Sequence, residues 1–246
     1  KINNGLEFIT RLSACQEEKF SFICNNQGTI EKHFKMDQSK TILVRYQQTY
    51  TDLAFEREGL FKFIKNHYHP QQVLYPGCSI HLTPAFYFPH VIFVDQAPQA
   101  MDFFSNQEMV NDLVRRRRVY RRRPYIQFIF QDFTRPLPLL ENQFDLLLAL
   151  YTHGVAQACK SYLKMGGYYL SNNHQHDAEE AFQDDALALR AVVQKHQGKY
   201  RGVDFDPLHP FEVSKRASQS KRYLRQTNQG VEYIENESYY IFRRVK

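Results

Sequence analysis

The residues best suited to chemistry lie in one stretch of the sequence, VLYPGCSIHLTPAFYFPHVIFVD, which runs from Val73 to Asp95. A short apolar run there leads into Gly77, and a second apolar run ends in the acid Asp95. In an open parallel sheet, a glycine after the first strand lets the backbone approach a ligand closely, and a carboxylate that ends the second strand can accept hydrogen bonds from ribose hydroxyls. The spacing indicates a nucleoside-binding arrangement. The alternative is an ordinary turn at Gly77 and a surface carboxylate at Asp95.

A buried parallel sheet is needed to bring these residues together, and the sequence predicts one. From residue 73 onward, short apolar runs follow one another without alternation between apolar and polar positions, which is typical of strands buried on both faces. The predicted strands are Val73–Tyr75, Val91–Val94, Ile126–Phe130, Phe144–Leu150 and Tyr168–Leu170. We therefore predict an α/β fold in which helices cover a mostly parallel sheet.

The remaining segments predict helices and a final pair of strands. Two segments have the apolar spacing of a helix and end with the glycines or basic residues that are common at helix ends. They predict helices at Val155–Lys164 and Asp177–His196. The segments Val231–Ile234 and Tyr239–Val245 predict an antiparallel hairpin. Apolar residues at helical spacing, among them Leu6, Ile9 and Leu12, predict that residues 1–70 form a helical lead-in or cap and residues 71–246 the α/β domain.

The composition excludes several classes of protein. A hydrophobic content of 43%, with 20 Phe and 16 Tyr, is too high for a disordered chain. The longest apolar runs are far shorter than the roughly 18 residues that a membrane span requires. The four cysteines, Cys15, Cys24, Cys78 and Cys159, form no CxxC pair, which favours reduced thiols and a cytoplasmic location.

The succession of motifs resembles the class I S-adenosylmethionine-dependent methyltransferases. VLYPGCS stands in the place of the glycine-rich first motif, VIFVD in that of the second strand with its ribose-binding acid, and FIFQDF in that of the third strand with its adenine-contacting acid. FDLLLALYTHG matches the fourth strand, and CKSYLKMGGYYL the helix, glycine turn and fifth strand that follow. Over about Gln72 to Lys246, the resemblance implies a Rossmann-like, mostly parallel seven-stranded sheet with helices on both faces and an antiparallel C-terminal hairpin. It also implies S-adenosylmethionine as cofactor and methyl transfer to an acceptor that the sequence does not identify.

The resemblance assigns roles to single residues of this chain. The implied cofactor-binding residues are Gly77, Ser79, Asp95, Asp132, Phe133 and Leu150. Gly77 would contact the methionine part through its backbone, and Asp95 would bind the ribose. Asp132 would take the adenine amino group, with Phe133 stacked beside the ring. Leu150, together with Tyr151, would face the sulfonium.

Two positions depart from the family's pattern. Tyr75 stands where an acid usually anchors the ammonium group of the cofactor, and Ser79 stands where a second glycine is usual. A side chain at Ser79 occupies space that glycine leaves open. These departures leave open an alternative function, a catalytically inactive methyltransferase-like module that binds a polyanionic partner.

The catalytic candidates are His153 and Tyr151, in the segment that follows the fourth strand. His153 can act as a general base toward a hydroxyl or an amine, because imidazole changes charge near neutral pH. The alternative is a histidine that caps the next helix or lines the cleft wall. The sequence HQHD, from His174 to Asp177, offers metal ligands, but no distant ligand at a defined spacing accompanies it, so no metal site is predicted.

An arginine run, RRRRVYRRR, is the single basic feature of the chain. Its members are Arg115, Arg116, Arg117, Arg118, Arg121, Arg122 and Arg123, and their number exceeds the formal net charge of +6, so the rest of the chain is close to neutral. With Tyr120 and Tyr125 interleaved, the run favours contact with RNA or DNA. An acidic protein, an anionic lipid surface and a solvated helix end are the alternatives. Because the run precedes the third strand, we expect it at the edge of the sheet opposite the cofactor cleft.

Overall fold

The computed structural model describes residues 40–196, 198–212, 223–227, 230–233 and 237–246. The chain divides into two compact units, Lys1–Arg45 and Tyr46–Lys246. Of the first unit, the structure describes residues 40–45, which are helical. The helix predicted around Leu6, Ile9 and Leu12 lies outside the described residues. Residues 46–70, which the sequence groups with the lead-in, belong to the second unit.

Helices and strands alternate through most of the second unit. Its α-helices are α1 (Glu58–Tyr68), α2 (Pro84–Tyr87), α3 (Pro98–Ser105), α4 (Gln107–Arg117), α5 (Val155–Cys159) and α6 (Asp177–Gln183), with a π-helical turn at Gln47–Thr51 and 3-10 turns at Lys160–Tyr162 and His174–His176. Its strands are β1 (Gln72–Pro76), β2 (His90–Asp95), β3 (Tyr125–Phe130), β4 (Phe144–Ala149), β5 (Leu163–Ser171), β6 (Leu187–His196), β7 (Lys199–Val203), β8 (Tyr223–Thr227), β9 (Gly230–Tyr233) and β10 (Ser238–Arg244). None of the helices that the structure describes has the length and apolar character of a membrane span.

Eight strands form one mixed sheet in the order β3-β2-β1-β4-β5-β10-β6-β7. The five strands from β3 to β5 are parallel to one another. In contrast, β10 is antiparallel to both β5 and β6, and β7 is antiparallel to β6. The order reverses at β1, because β2 lies on one side of it and β4 on the other. The carboxyl ends of strands at such a reversal form a crevice in which open α/β sheets bind ligands.

The core lies on both faces of the sheet, which explains the uninterrupted apolar runs. Leu74, Ile92 and Leu147 belong to a buried cluster that includes residues of α5 and α6. On the other face, Phe104 of α3 packs against Phe93, with 4.8 Å between ring centroids. The predicted α/β fold, with its mostly parallel strands, its antiparallel C-terminal part and its helices on both faces, is confirmed, but the sheet has eight strands instead of seven, and β6 and β7 were not predicted as strands.

The predicted helix Asp177–His196 is wrong in its second half. The helix ends at Gln183, and residues 187–196 form strand β6. A turn joins the two, in which the carboxylate of Asp184 accepts a hydrogen bond from the amide of Ala186 at 2.9 Å. Alanine and leucine favour a helix locally, but this segment pairs with β10 on one side and β7 on the other, and such tertiary pairing overrides a weak local preference.

Two other element boundaries differ from the prediction. The helix predicted at Val155–Lys164 ends at Cys159. A 3-10 turn at Lys160–Tyr162 follows it, and β5 begins at Leu163. At the C-terminus, β9 pairs antiparallel with β8 in a separate small sheet, so the partners of β10 are β5 and β6. The predicted pairing of Val231–Ile234 with Tyr239–Val245 is therefore replaced by pairing of β9 with the preceding strand β8 and of β10 with the distant strands β5 and β6, which alternation within the two segments does not encode.

Candidate functional site

A cleft of about 540 Å³ lies at the carboxyl ends of β1, β2 and β4. Six residues predicted from the sequence line it: Gly77, Ser79, Asp95, Phe133, Tyr151 and His153. His174, which the sequence offers as a candidate ligand after the fifth strand, also lines it, as do five residues that sequence reasoning did not single out: Gln96, Ala97, Gln99, Thr152 and Gln175. Each of these lies within a few residues of a predicted site residue or of the end of β5, so proximity to a strand end was the available signal.

The carboxylate of Asp95 organises the turns on both sides of the cleft. Its Oδ2 accepts a hydrogen bond from the amide of Ser79 at 2.7 Å, and its Oδ1 accepts one from the amide of Ala97 at 2.8 Å. A carboxylate oxygen has two acceptor positions, so each oxygen keeps one for a ligand hydroxyl. Asp95 therefore combines a structural role with the capacity to bind a diol.

Gly77 makes the turn after β1, with a φ of 63°. A Cβ at this position would lie 2.3 Å from Oγ1 of Thr152, so only glycine fits against the segment that follows β4. The hydroxyl of Thr152 lies 3.3 Å from the carbonyl oxygen of Gly77, to which it donates. The turns after β1 and β4 are thus packed directly against each other at the floor of the cleft.

At the two positions that depart from the family pattern, Ser79 has a left-handed backbone conformation and Tyr75 has a buried side chain. Ser79 has a φ of 49°, a left-handed conformation that glycine adopts without strain. Tyr75 is buried, and its hydroxyl lies 3.0 Å from Nδ1 of His81. Since the Tyr75 side chain points into this buried contact, it places no negative charge at the cleft.

Asp132 and Leu150 do not line the cleft, whereas Phe133 does. The carboxylate of Asp132 accepts hydrogen bonds from the amide and the hydroxyl of Thr134, at 2.9 Å and 2.8 Å. These bonds lower the pKa of Asp132. Leu150 is buried.

Tyr151 belongs to a buried polar network at the end of β4. Its hydroxyl donates to Oε1 of Glu237, which also accepts from Nδ2 of Asn172 at 2.7 Å. The other carboxylate oxygen of Glu237 pairs with the guanidinium of Arg57 at 3.2 Å, and both side chains are less than 10% exposed. Arg57 in turn donates to the hydroxyl of Tyr239 at 2.7 Å. The network holds the Tyr151 ring in the wall of the cleft. The backbone of Tyr151 has a φ of 57°.

Sequence reasoning missed Arg57 and Glu237. They are 180 positions apart, and neither lies in a recognisable motif. Although burial opposes the charge of Arg57, the surrounding Tyr239 and Glu237 raise the pKa of its guanidinium well above the usual value. The arginine is thus held charged inside the protein by groups from the far end of the chain.

His153 stands at the rim of the cleft and pairs with an acid on α6. Its Nε2 lies 2.9 Å from Oε1 of Glu180, and the imidazole is partly exposed. If Nε2–H donates to Glu180, Nδ1 carries the lone pair that can take a proton. Within the described residues, no group of three or more His, Cys, Asp or Glu side chains could hold a metal ion.

His81 is a buried titratable group beside the cleft that this network does not include. Its two ring nitrogens lie 3.0 Å from the Tyr75 hydroxyl and 3.2 Å from the carbonyl oxygen of Glu56. Burial lowers the pKa of His81 to about 3, and the nearby Arg57 charge acts in the same direction. The folded protein therefore keeps this histidine neutral at pH values where the unfolded chain protonates it.

We expect His81 to make folding stability fall as the pH is lowered. From the unfolded pKa of 6.5 down to about 3, the unfolded chain binds a proton that the folded protein does not. The contribution of the neutral, buried His81 to folding stability is fully present above pH 6.5 and is lost at about 1.4 kcal/mol per pH unit below it. Urea unfolding at pH 7 and pH 5 should show that the stability advantage of the native protein over His81→Gln shrinks by about 2 kcal/mol. Parallel stability curves for the two proteins would contradict this assignment.

The arginine run lies at the amino end of β3, at the opposite end of that strand from the cleft. Arg117 is partly buried and pairs with Glu56 and Glu58, so it is not available to a partner. The remaining members are Arg115, Arg116, Arg118, Arg121, Arg122 and Arg123, and of these Arg115 and Arg116 share the carboxylate of Asp112. The run is therefore divided between one structural arginine, the half-buried Arg118 and five exposed arginines.

Comparison with known proteins finds similarity at the level of the fold. No model of a protein family matches the chain, and no curated protein is similar to it in sequence. Solved structures that resemble it include a methyltransferase from Geobacter sulfurreducens, which is 10% identical, has a TM-score of 0.46 and matches over 84% of this chain and 90% of its own.

Two other similar structures carry more specific descriptions. A SAM-dependent methyltransferase from Thermotoga maritima, described as a possible histamine N-methyltransferase, is 13% identical with a TM-score of 0.46, over 83% of this chain and 96% of its own. The N-methyltransferase NodS from Bradyrhizobium japonicum is 13% identical with a TM-score of 0.45, over 80% of this chain and 99% of its own. The mostly parallel, Rossmann-like sheet that the sequence predicts is present in this chain, whereas the insertion of the antiparallel strand β10 between β5 and β6 was not predicted.

Proposed function

We propose that the chain binds S-adenosylmethionine in the cleft and transfers its methyl group to an acceptor that is still to be identified. The observation that carries the proposal is the position of Asp95. Its carboxylate ends β2 at the reversal of the strand order, lines the cleft and keeps acceptor capacity on both oxygens. Such a carboxylate suits the two hydroxyls of a ribose.

The residues present fit the adenosine half of this cofactor. The aromatic side chain of Phe133 lines the cleft and offers a surface for a purine ring. The volume of about 540 Å³ lies within the range of roughly 300–1,000 Å³ that is usual for small-molecule sites. Asp95 and Phe133 would hold the adenosine, the Gly77 turn would contact the methionine part through its backbone, and the sulfonium of the bound cofactor would supply an electrophilic methyl group.

The methionine half of the cofactor would meet a part of the cleft wall that is less complementary to it in charge. Tyr75 is buried against His81 and offers no counter-charge for an ammonium group. Asp95 is the only carboxylate that lines the cleft among the described residues. An inactive module that keeps the fold is therefore the second candidate function, and affinity for the cofactor distinguishes the two.

His153 is the residue that we expect to accept a proton from the acceptor. Glu180 orients its imidazole through the 2.9 Å contact, and a positioned base commonly accelerates such a step by about 10²–10⁴-fold. Tyr151 has a positioning role, because its hydroxyl is bound to Glu237 while its ring lines the cleft. The two cysteines that the structure describes, Cys78 and Cys159, are buried thiols, which suits the reducing cytoplasm in which we place this activity.

Titration calorimetry with S-adenosylhomocysteine tests the proposal directly. We expect saturable binding with a dissociation constant below about 1 mM, equivalent to more than about 4 kcal/mol. 5′-Methylthioadenosine lacks the amino-acid end, and because that end meets no counter-charge, its affinity should be within about tenfold of the full ligand. The absence of binding at millimolar concentrations of both ligands would remove the proposal and favour the inactive module.

A further inference from the structure

A second concave site lies at the amino end of β3, away from the cleft. It has a volume of about 800 Å³, and the residues that give it its chemistry are Asn111, Arg115, Arg118, Arg121, Arg123 and Tyr125. Four of these are arginines, and no acidic residue lines the groove. We call this site the arginine groove.

The charge of the arginine groove is largely uncompensated. Asp112 pairs with Arg115 but is shared with Arg116. Among the described residues, no carboxylate pairs with Arg118, Arg121 or Arg123. Guanidinium groups that converge on one concavity repel one another and attract a ligand with several negative charges.

The segment that carries these arginines is anchored to the body of the protein. The amide of Val119 donates to the carbonyl oxygen of Phe86 at 2.8 Å, and the hydroxyl of Tyr120 donates to the carbonyl oxygen of Ala85 at 2.8 Å. Arg118 donates to the carbonyl oxygen of Arg122 at 2.7 Å across the turn. These bonds arrange the groove before any ligand arrives, which reduces the entropic cost of binding.

Tyr125 adds an aromatic surface to the groove. Its side chain is about half exposed, its hydroxyl donates to Oε1 of Gln127 at 3.0 Å, and its ring lies 4.4 Å from that of His90. A ring held in this way is a platform on which an unpaired base can stack. A flat layer of lipid headgroups makes no use of such a platform and reaches only the rim of a concave site.

We infer that the arginine groove binds single-stranded nucleic acid without sequence specificity. The phosphates would pair with Arg115, Arg118, Arg121 and Arg123, and one base would stack on Tyr125. The groove and the cleft lie at opposite ends of β3, which spans about 17 Å at roughly 3.3 Å per residue. The inference does not depend on the proposed methyl transfer, since none of its residues lines the cleft.

Fluorescence anisotropy with a labelled 12-nucleotide single strand of mixed sequence, measured between 50 and 300 mM salt, tests this inference. Four phosphate contacts should give a slope of log K against log salt of about −3. The double variant Arg121→Ala/Arg123→Ala should bind about tenfold more weakly at 100 mM salt, with the slope reduced by about 1.4. Tyr125→Leu should weaken binding with no change of slope, because stacking releases no counterions.

The matched control is Arg190→Ala/Arg201→Ala, which removes the same charge from exposed positions on β6 and β7. An equal loss of affinity in both double variants would show that overall charge is responsible and would overturn the inference. If the protein sedimented with phosphatidylserine vesicles and did not bind the oligonucleotide, the inference would also be overturned. The groove would then be identified as a site for a lipid surface. The groove variants should keep their affinity for S-adenosylhomocysteine, so failure here is distinguishable from failure of the proposed function.

Discussion

Replacement of Asp95 by alanine is expected to reduce the affinity for S-adenosylhomocysteine by at least about two orders of magnitude. The change removes two hydrogen bonds that the ribose hydroxyls donate to a charged acceptor, and at about 1.5–3 kcal/mol each their loss amounts to about 3–6 kcal/mol. It also leaves the amides of Ser79 and Ala97 without the carboxylate that binds them at 2.7 Å and 2.8 Å. Titration calorimetry of the native and variant proteins measures the loss.

Two other aspartates provide comparisons for this variant. Asp185 is highly exposed and lies 3.6 Å from Lys246, so Asp185→Ala controls for the loss of one negative charge. Asp132, assigned to the adenine by the resemblance, has its carboxylate turned to Thr134, and we expect Asp132→Ala to change affinity less than threefold. If Asp132→Ala and Asp95→Ala were equally damaging, the assignment of the cleft would need revision.

A ligand-side comparison separates direct contact with the ribose from disturbance of the turns. Adenosine and 2′,3′-dideoxyadenosine differ only in the hydroxyls that Asp95 is proposed to bind. The native protein should prefer adenosine by at least about tenfold, and Asp95→Ala should remove that preference. A preference that survives the substitution would show that Asp95 acts only on the backbone.

The fold was accessible from sequence because its signals are local. Apolar runs such as Val91–Val94 are uninterrupted since helices cover both faces of the sheet, and Asp95 stands out as the acid that ends such a run. The order of the strand ends along the chain then placed Gly77 and Asp95 at one edge. The sequence pattern predicted the positions of Gly77 and Asp95 because these positions depend on residues that are close together in the sequence.

Features that depend on distant pairing were not accessible. Residues 187–196 have the composition of a helix and become a strand because β10 and β7 take up both of its edges. Arg117 illustrates the same limit, since the acids that pair with it, Glu56 and Glu58, are about sixty residues away.

Replacement of Glu237 by alanine is expected to cost about 3–5 kcal/mol of folding stability, the largest effect that we predict for a single substitution. Glu237 is buried and accepts hydrogen bonds from Arg57, Tyr151, Asn172 and Tyr239. Its removal leaves the guanidinium of Arg57 charged in the interior without a counter-charge. Urea unfolding measures the loss, and Glu180→Ala, which breaks an exposed contact with His153, should cost less than about 1 kcal/mol.

The double variant Arg57→Met/Glu237→Leu tests whether the buried pair, and not packing alone, produces this effect. With both charges gone, no unpaired ion remains. The double variant should therefore be more stable, by at least about 1.5 kcal/mol, than the summed losses of the single variants Arg57→Met and Glu237→Leu predict. Strict additivity would contradict the pairing seen at 3.2 Å. Because Glu237 also holds the Tyr151 hydroxyl, the double variant should still bind S-adenosylhomocysteine more weakly than the native protein, even where its stability recovers. Stability and ligand affinity would then separate, as expected of a network that both compensates a buried charge and positions one wall of the cleft.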